Sequence, residues 1–558
     1  MRKPLLVIVT LAMVVLFVTA ASALHAQTPG VAQTPGVALT GTVTSPEDGA
    51  MEGVLVSAKL SGSNITITVV SDAQGHYRFP AAKLGPGAYA LSIRAAGYDL
   101  DGSNSISLGT GTATADLHLK KTSDLAAQLS NADWLNSMPG TPDEKRRLID
   151  CMGCHTIFRI VTTHYTANQL LQIIPLMSGY APGAQPLTPD RRLSPQRPQN
   201  PAQLRSLAEY IASINLSTGS WKYPLKTHPR PTGRATHAII TEYDLPRALT
   251  EPHDVILDAQ GMAWYSDFGA QVLGELDPRT GAVTEYPLPL LKPHFPAGSL
   301  DLELDKSGNI WMGMMLQGGV AEFDPKTKTF KTFSMPPELN DNAAQIAMVD
   351  PLPNGLVITN DVDKNTVHLL NPATNQWQTF GPFTITDNTG PHSESLYGVL
   401  TDAHNNAYAL DFSQTDGNYL GKVDYQTHQL SMIPTPTKNV RLRRGHFNDK
   451  NQLTFAEFAG EQIGMLDANT GKVTEWKLPT AWTDPYDAIQ DKHGELWTGN
   501  MSTDLITRLD PKTGSAVEYL LPRETNVRRV FVDNTTNPVT FWTGSNHGAS
   551  IVKLEPVN

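Results

Sequence analysis

Leu276-Asp277-Pro278-Arg279-Thr280-Gly281-Ala282-Val283-Thr284-Glu285-Tyr286 decides the fold, because Leu509-Asp510-Pro511-Lys512-Thr513-Gly514 repeats its opening near the other end of the chain. Each copy reads as a strand end, a glycine-closed turn and the start of a new strand. A second turn, Asp258-Ala259-Gln260-Gly261, has counterparts starting at Asp305, Asp350, Asp402, Asn448, Asp491 and Asp533, at intervals of 42 to 52 residues. Between these turns lie an apolar strand, an aromatic-rich strand such as Met262-Ala263-Trp264-Tyr265, and the two strands of the quoted phrase. Four strands at this period are one propeller blade, so seven turns predict a seven-bladed β-propeller over residues 235–558. Ile240-Thr241-Glu242-Tyr243-Asp244-Leu245-Pro246 copies a fourth strand but precedes the first blade. It is expected to complete the last blade and close the ring, which removes free sheet edges.

These phrases resemble the virginiamycin B lyase (streptogramin lyase) family. The resemblance implies a histidine at the start of an inner strand, a glutamate 14 residues later and a magnesium ion nearby. His253 and Asp267 have that spacing with a shortened acid, whereas Arg443 and Glu457 lack the histidine. The equivalent pairs Leu300/Met314 and Tyr486/Asn500 keep neither residue. His253, Asp267, Arg443 and Glu457 are therefore candidate catalytic residues for a broken version of the family's site. With Asp411, Tyr486 and Asn500 they are expected around the central funnel, where a small molecule or polymer would bind.

Upstream, Cys151-Met152-Gly153-Cys154-His155 reads C-x-x-C-H, the attachment signature of a c-type haem. Two thiols one turn apart can each form a thioether to a haem vinyl group, and the histidine that follows faces the iron. These are the only two cysteines of the 558 residues. The other readings are a short disulfide and half of a zinc site, for which further thiolates are lacking. Around the motif the periodicity becomes helical. Thr141-Pro142-Asp143-Glu144 predicts a helix start running into Cys151, Thr166 caps Ala167 to Leu176, and Asn200-Pro201 opens a helix through Ile214. The arrangement resembles a small all-α monohaem cytochrome c domain over residues 125–217. Cys151, Cys154 and His155 would hold one haem c. The sixth iron ligand is expected to be Met177, with His164 or an open position as alternatives.

Arg2-Lys3, the apolar run Leu5 to Val18 and small residues up to Ala26 have the layout of a secretory signal peptide over residues 1–26. The run is short for a membrane span, so no span is expected after cleavage, and the location is read as periplasmic or secreted in a bacterium. The formal charge is -11, and loss of Arg2 and Lys3 would make it -13. Such acidity argues against a nucleic-acid partner and suits a basic redox partner protein.

Residues 27–37 repeat a Pro/Gly-rich phrase and read as a linker, as do residues 218–234. Between 38 and 120, short alternating strands are separated by regular turns. Gly41-x-Val43, Gly53-Val54-x-Val56, Asp72-x-x-Gly75-x-Tyr77-x-Phe79 and Pro86-Gly87-x-Tyr89 resemble the carboxypeptidase regulatory-like domain, which implies a transthyretin-like β-sandwich serving as a spacer. The chain thus reads as a mostly β, multidomain protein. The leading expectation is an exported c-type haem protein of electron transfer with the propeller as docking or substrate-binding platform. The alternatives are a magnesium-dependent lyase and a haem-containing binding or sensor protein.

Overall fold

The computed structural model describes residues 36–185, 189–194, 200–387, 390–393, 395–413 and 417–557. The expected signal peptide and most of the first linker lie outside the described residues. Among the described residues no helix is long and apolar enough to cross a membrane. The protein is mostly β, with a sandwich at the N-terminal side, a helical region and a propeller-like ring.

The sandwich follows its alternation. Val37–Ser45 sends Leu39, Val43 and their alternates inward, and His76–Pro80 buries Tyr77 and Phe79 while exposing His76 and Arg78. One face is built on Val37–Ser45, which pairs with His76–Pro80 and Leu117–Lys121. The other is Ile65–Val70, Leu55–Leu60, Gly87–Arg94 and Ser105–Leu108, and both faces share one apolar core.

Among the described residues the propeller-like ring consists of six four-stranded antiparallel sheets and of four further strands that belong to a larger sheet. Their first strands are Pro252–Leu257, Leu302–Leu304, Ile346–Pro351, Leu396–Thr401, Leu442–Phe447, Pro485–Gln490 and Val527–Asp533. Each touches the next, and the last touches the first. The Asp turns explain why the repeat is written as it is. The Asp258 carboxylate accepts from the Gln260 and Met262 amides and, 2.8 Å away, from the Trp264 indole. Asp491 does the same with His493, Glu495 and Trp497. Gly261 and Gly494 occupy the left-handed position of these turns (φ 76° and 86°), which a side chain would strain.

Ala238–Asp244, which includes most of the expected strand Ile240–Pro246, pairs antiparallel with Ser550–Pro556, joining the start of the ring to its last strands. Its other edge was not anticipated. It pairs with Ile65–Val70 of the sandwich, from Ile239 opposite Val69 to Tyr243 opposite Ile65. Sandwich face and last sheet therefore form one continuous eight-stranded sheet.

Three expectations need correction. In the third sheet the turn starts at Leu352, whose amide bonds Leu356 O, not at Asp350. Asp350 instead lies in a strand and receives the Thr401 amide and hydroxyl from the next sheet. The helix before the C-x-x-C-H motif does not reach Cys151. Five α-helices, α1 (Asn131–Ser137), α2 (Pro142–Arg146), α3 (Ile157–Val161), α4 (Ala167–Ser178) and α5 (Pro201–Ile214), surround a separate 3₁₀ turn, Ile149–Gly153. Tightening to i→i+3 bonds lets Leu148, Ile149 and Met152 all enter the core. The Pro-rich stretch before the ring is strapped down rather than free. Lys226 N bonds Ser137 Oγ, His228 N bonds Asp133 Oδ1, and Arg230 Nε bonds Glu52 O.

Candidate functional site

The 3₁₀ turn presents both thiols. Residues i and i+3 eclipse in such a turn, so Cys151 and Cys154 share a side, and the Cys154 amide bonds Cys151 O at 3.3 Å. Both are free thiols, Cys151 half-buried and Cys154 exposed. Burial, then the Asp150 charge, pushes Cys151 up to about 12; burial, then Glu251, raises Cys154. The His155 Nδ1 lies 3.3 Å from Thr156 O, and burial holds this imidazole below its usual range. A carbonyl on Nδ1 fixes the tautomer that leaves Nε2 for a metal. The donor set is thus two unpaired thiols on one side of a turn and an oriented, neutral imidazole, which fits covalent haem. Among the described residues no cluster of three or more His, Cys, Asp or Glu has metal-holding geometry, so the zinc reading finds no further ligands.

The turn sits on one mouth of the ring. Asn526 Nδ2 donates to Met152 O at 3.1 Å and Arg528 Nη2 to Gly153 O at 2.9 Å. Ala132 N bonds Ser502 O, and Arg146 Nη1 bonds Ala459 O. The Met152 side chain is fully buried in a cluster that joins Trp134, Leu135 and Ile211 of the helices to Phe458, Tyr486 and Met501 of the ring. Gly183 approaches Phe268 so closely that a Cβ there would lie 2.0 Å from Phe268 O. The helical region therefore caps the funnel.

Strand register defines what lies beneath the cap. Pairing sets Pro252 opposite Asp267, Leu396 opposite Asp411, Leu442 opposite Glu457 and Pro485 opposite Asn500. The residues one step further along the first strands, His253, Tyr397, Arg443, Tyr486 and Arg528, form the layer facing the cap. His253 Nδ1 lies 2.6 Å from Asp254 Oδ1, and its Nε2 lies 3.1 Å from the Tyr486 hydroxyl. The Tyr486 and Tyr397 hydroxyls share a very short hydrogen bond. The Arg443 guanidinium lies 4.2 to 4.9 Å from the ring centres of Tyr486, Phe412, Phe458 and Tyr397. It has no ion-pair partner among the described residues, and its Nε is buried without an acceptor. Burial raises the Tyr486 hydroxyl, but Arg443 and Arg528 outweigh it and leave it below the usual tyrosine range. Burial, then Arg528 and Arg444, holds His253 well below its usual value and thus neutral.

One residue deeper, charges are paired. Arg444 grips Asp254 through two bonds, 2.8 and 2.9 Å, and also reaches Asp301. Arg529 lies 3.0 Å from Asp301 and 2.7 Å from Glu303. His446 pairs with Asp487 at 2.9 Å. This layer plugs the middle of the funnel.

The pairs expected from spacing are not brought together. Asp267 accepts from Gly269 N and Arg247, whereas His253 is bonded to Asp254 and Tyr486. Glu457 lies opposite Leu442 in its own sheet and has no cationic partner among the described residues; burial, then the neighbouring Glu475 carboxyl, pushes it up to about 9. Asp411 bonds Ser413 and Asn418, and Asn500 bonds Thr507, so both brace local turns. Met177 lies on the last turn of α4 with 43% exposure, and His164 is exposed with Nδ1 3.2 Å from Leu216 O.

Sequence reasoning missed Asn526, Arg528 and His547. The Arg528-Arg529 pair inside a predicted inner strand was a signal, because it puts two cations on successive layers of a funnel. His547 lies in the hairpin between Thr540–Ser545 and Ser550–Pro556. Neither ring nitrogen has a hydrogen-bond partner of ordinary geometry. Burial, then Arg528 and His155, pulls it down to about 3.

Residues 38–120 match the model of the carboxypeptidase regulatory-like domain family. No curated protein sequence matches significantly. Among solved structures the chain is similar to a streptogramin B lyase, at 18% identity and TM-score 0.49 over 58% of this chain and 99% of that one. It is likewise similar to virginiamycin B lyase from Staphylococcus aureus, at 18% identity and TM-score 0.49 over 57% of this chain and 99% of that one.

Proposed function

We propose that this is an exported bacterial c-type haem protein of electron transfer, in which a cytochrome c-like helical domain caps a seven-bladed propeller. The observation that carries the reading is the clamped Cys151–His155 turn: two free thiols and an oriented imidazole, with the Met152 and Gly153 carbonyls held by Asn526 and Arg528. When bound, the haem supplies one-electron transfer. Cys151 and Cys154 would carry the thioethers, and His155 Nε2 would face the iron. Asn526 and Arg528 fix the turn on the ring, so a haem attached there keeps a set position over the funnel. The capped layer of His253, Tyr397, Arg443, Tyr486 and Arg528 provides cationic and hydroxyl groups for a small substrate or for a docking contact. The acidic surface suits a basic redox partner, and the sandwich serves as spacer.

The lyase reading finds no comparable support. A magnesium ion would need His253 and Asp267 on one face, yet His253 is taken by Asp254 and Tyr486, and Asp267 by Arg247. The test is to export the chain in a host with haem-maturation machinery and denature it fully. Haem that stays attached, and is lost in a Cys151→Ser/Cys154→Ser variant, supports the reading. A haem-free chain carrying a Cys151–Cys154 disulfide overturns it.

A further inference from the structure

We propose that His547 is the second axial ligand of the haem iron, so that one ligand comes from the helical domain and the other from the last sheet of the ring. This rests on the haem reading above. His547 is a buried imidazole whose ring nitrogens make no hydrogen bond of ordinary geometry, the Met152 backbone being its one polar contact among the described residues, a costly arrangement unless something binds a nitrogen. It stands beside the motif: His155, Arg528 and the Met152 backbone are its electrostatic neighbours. The hairpin that carries it is tied to the same turn, because Asn546 N bonds Asn526 O while Asn526 Nδ2 bonds Met152 O. Gly548 N bonds back to Ser545 O, which closes the hairpin behind the imidazole.

The competing ligands are placed less well. Met177 faces solvent from the end of α4, and the His164 Nδ1 is near Leu216 O on the exposed side of the helical region. Ligation by His547 also gives the cap a purpose. A haem bound to both parts would lock the helical domain onto the ring, and its potential would report the state of the last sheet.

The experiment uses the full chain matured with haem. Covalent attachment is first measured on denatured protein for the wild type and for His547→Ala, Met177→Ala and His164→Ala. Folding of each variant is checked by thermal melting. Ferric spectra and electron paramagnetic resonance are then recorded. The expected result is a low-spin wild type without the far-red band of methionine ligation. His547→Ala should turn high-spin and return to low-spin on adding imidazole, while Met177→Ala and His164→Ala leave the spectrum unchanged. A His547→Met variant should raise the reduction potential, because methionine favours the ferrous state. An unchanged His547→Ala spectrum, or a methionine band lost in Met177→Ala, overturns the assignment while leaving the haem intact. A denatured wild type without haem overturns the attachment reading itself, and this assignment with it.

Discussion

Arg443 and Arg444, and again Arg528 and Arg529, are neighbours of one residue type with opposite surroundings. Arg444 and Arg529 lie in the deeper layer, where Asp254, Asp301 and Glu303 pair with their terminal guanidinium nitrogens, although Arg529 Nε has no acceptor among the described residues. Arg443 and Arg528 lie under the cap, among aromatic rings and without a carboxylate partner within ion-pair distance among the described residues. The deeper layer closes on itself and ties the first, second, fifth and last sheets of the ring together. The upper layer spends its hydroxyls on one another and on His253, and Arg528 on the Gly153 carbonyl, but leaves both cations without a counter-charge, which is the mark of a surface kept for something else. A single step along a strand separates scaffold from site.

The largest expected effect comes from breaking the deeper layer. Asp301→Ala takes one carboxylate partner from each of two buried guanidinium groups and the acceptor from the Val349 amide, and should cost about 3–5 kcal/mol in denaturant unfolding. A loss below about 1 kcal/mol would erase the distinction between the layers. The same contrast recurs on the second strands, where Asp267 is paired with the Arg247 cation but Glu457 has only another carboxyl, Glu475, beside it. Glu457 has a folded pKa of about 9, above its ordinary 4.5. The folded state therefore holds a proton that the unfolded chain releases, so this stabilisation is complete below about pH 4.5 and is lost as pH rises towards 9. The slope reaches at most ~1.4 kcal/mol per pH unit. Glu457→Gln should flatten the alkaline limb of a stability–pH curve, and an unchanged limb would show that Glu457 finds a partner in solution.

Smaller effects sharpen the comparison. Asn526→Ala removes one bond to the Met152 carbonyl and should cost about 1 kcal/mol in the same denaturant titration. Arg443→Met should change stability least, within about 1 kcal/mol, because an unpaired buried charge is exchanged for an apolar chain of similar length. Arg444→Met at the next position should be several-fold more damaging, measured in the same denaturant titration.

The repeating architecture was legible because its turns are chemical. An aspartate that caps two amides and an indole, followed by a left-handed glycine, leaves a mark at Asp258, Asp305 and Asp491. Where the third sheet replaces that aspartate with Leu352, the nearest acid, Asp350, misleads by two residues. The C-x-x-C-H motif was equally plain, since two thiols and an imidazole at that spacing have few uses. What holds the motif was not plain. Asn526, Arg528 and His547 lie hundreds of residues away in sequence, and nothing local marks a loop that will face another domain. The pairing of Ile65–Val70 with Ala238–Asp244 was hidden for a related reason: backbone bonds between two edges leave no periodic trace in side chains.

That shared strand has a consequence for how the molecule is made. Ala238–Asp244 leaves the ribosome some three hundred residues before its other partner, Ser550–Pro556. An edge waiting that long is an invitation to stick to another chain. The sandwich is complete by Lys121, and its free edge, Ile65–Val70, receives the waiting strand on one side. The small N-terminal unit thus covers one edge of the strand that makes the last clasp of the ring, leaving only the other edge for the C-terminal strands to fill.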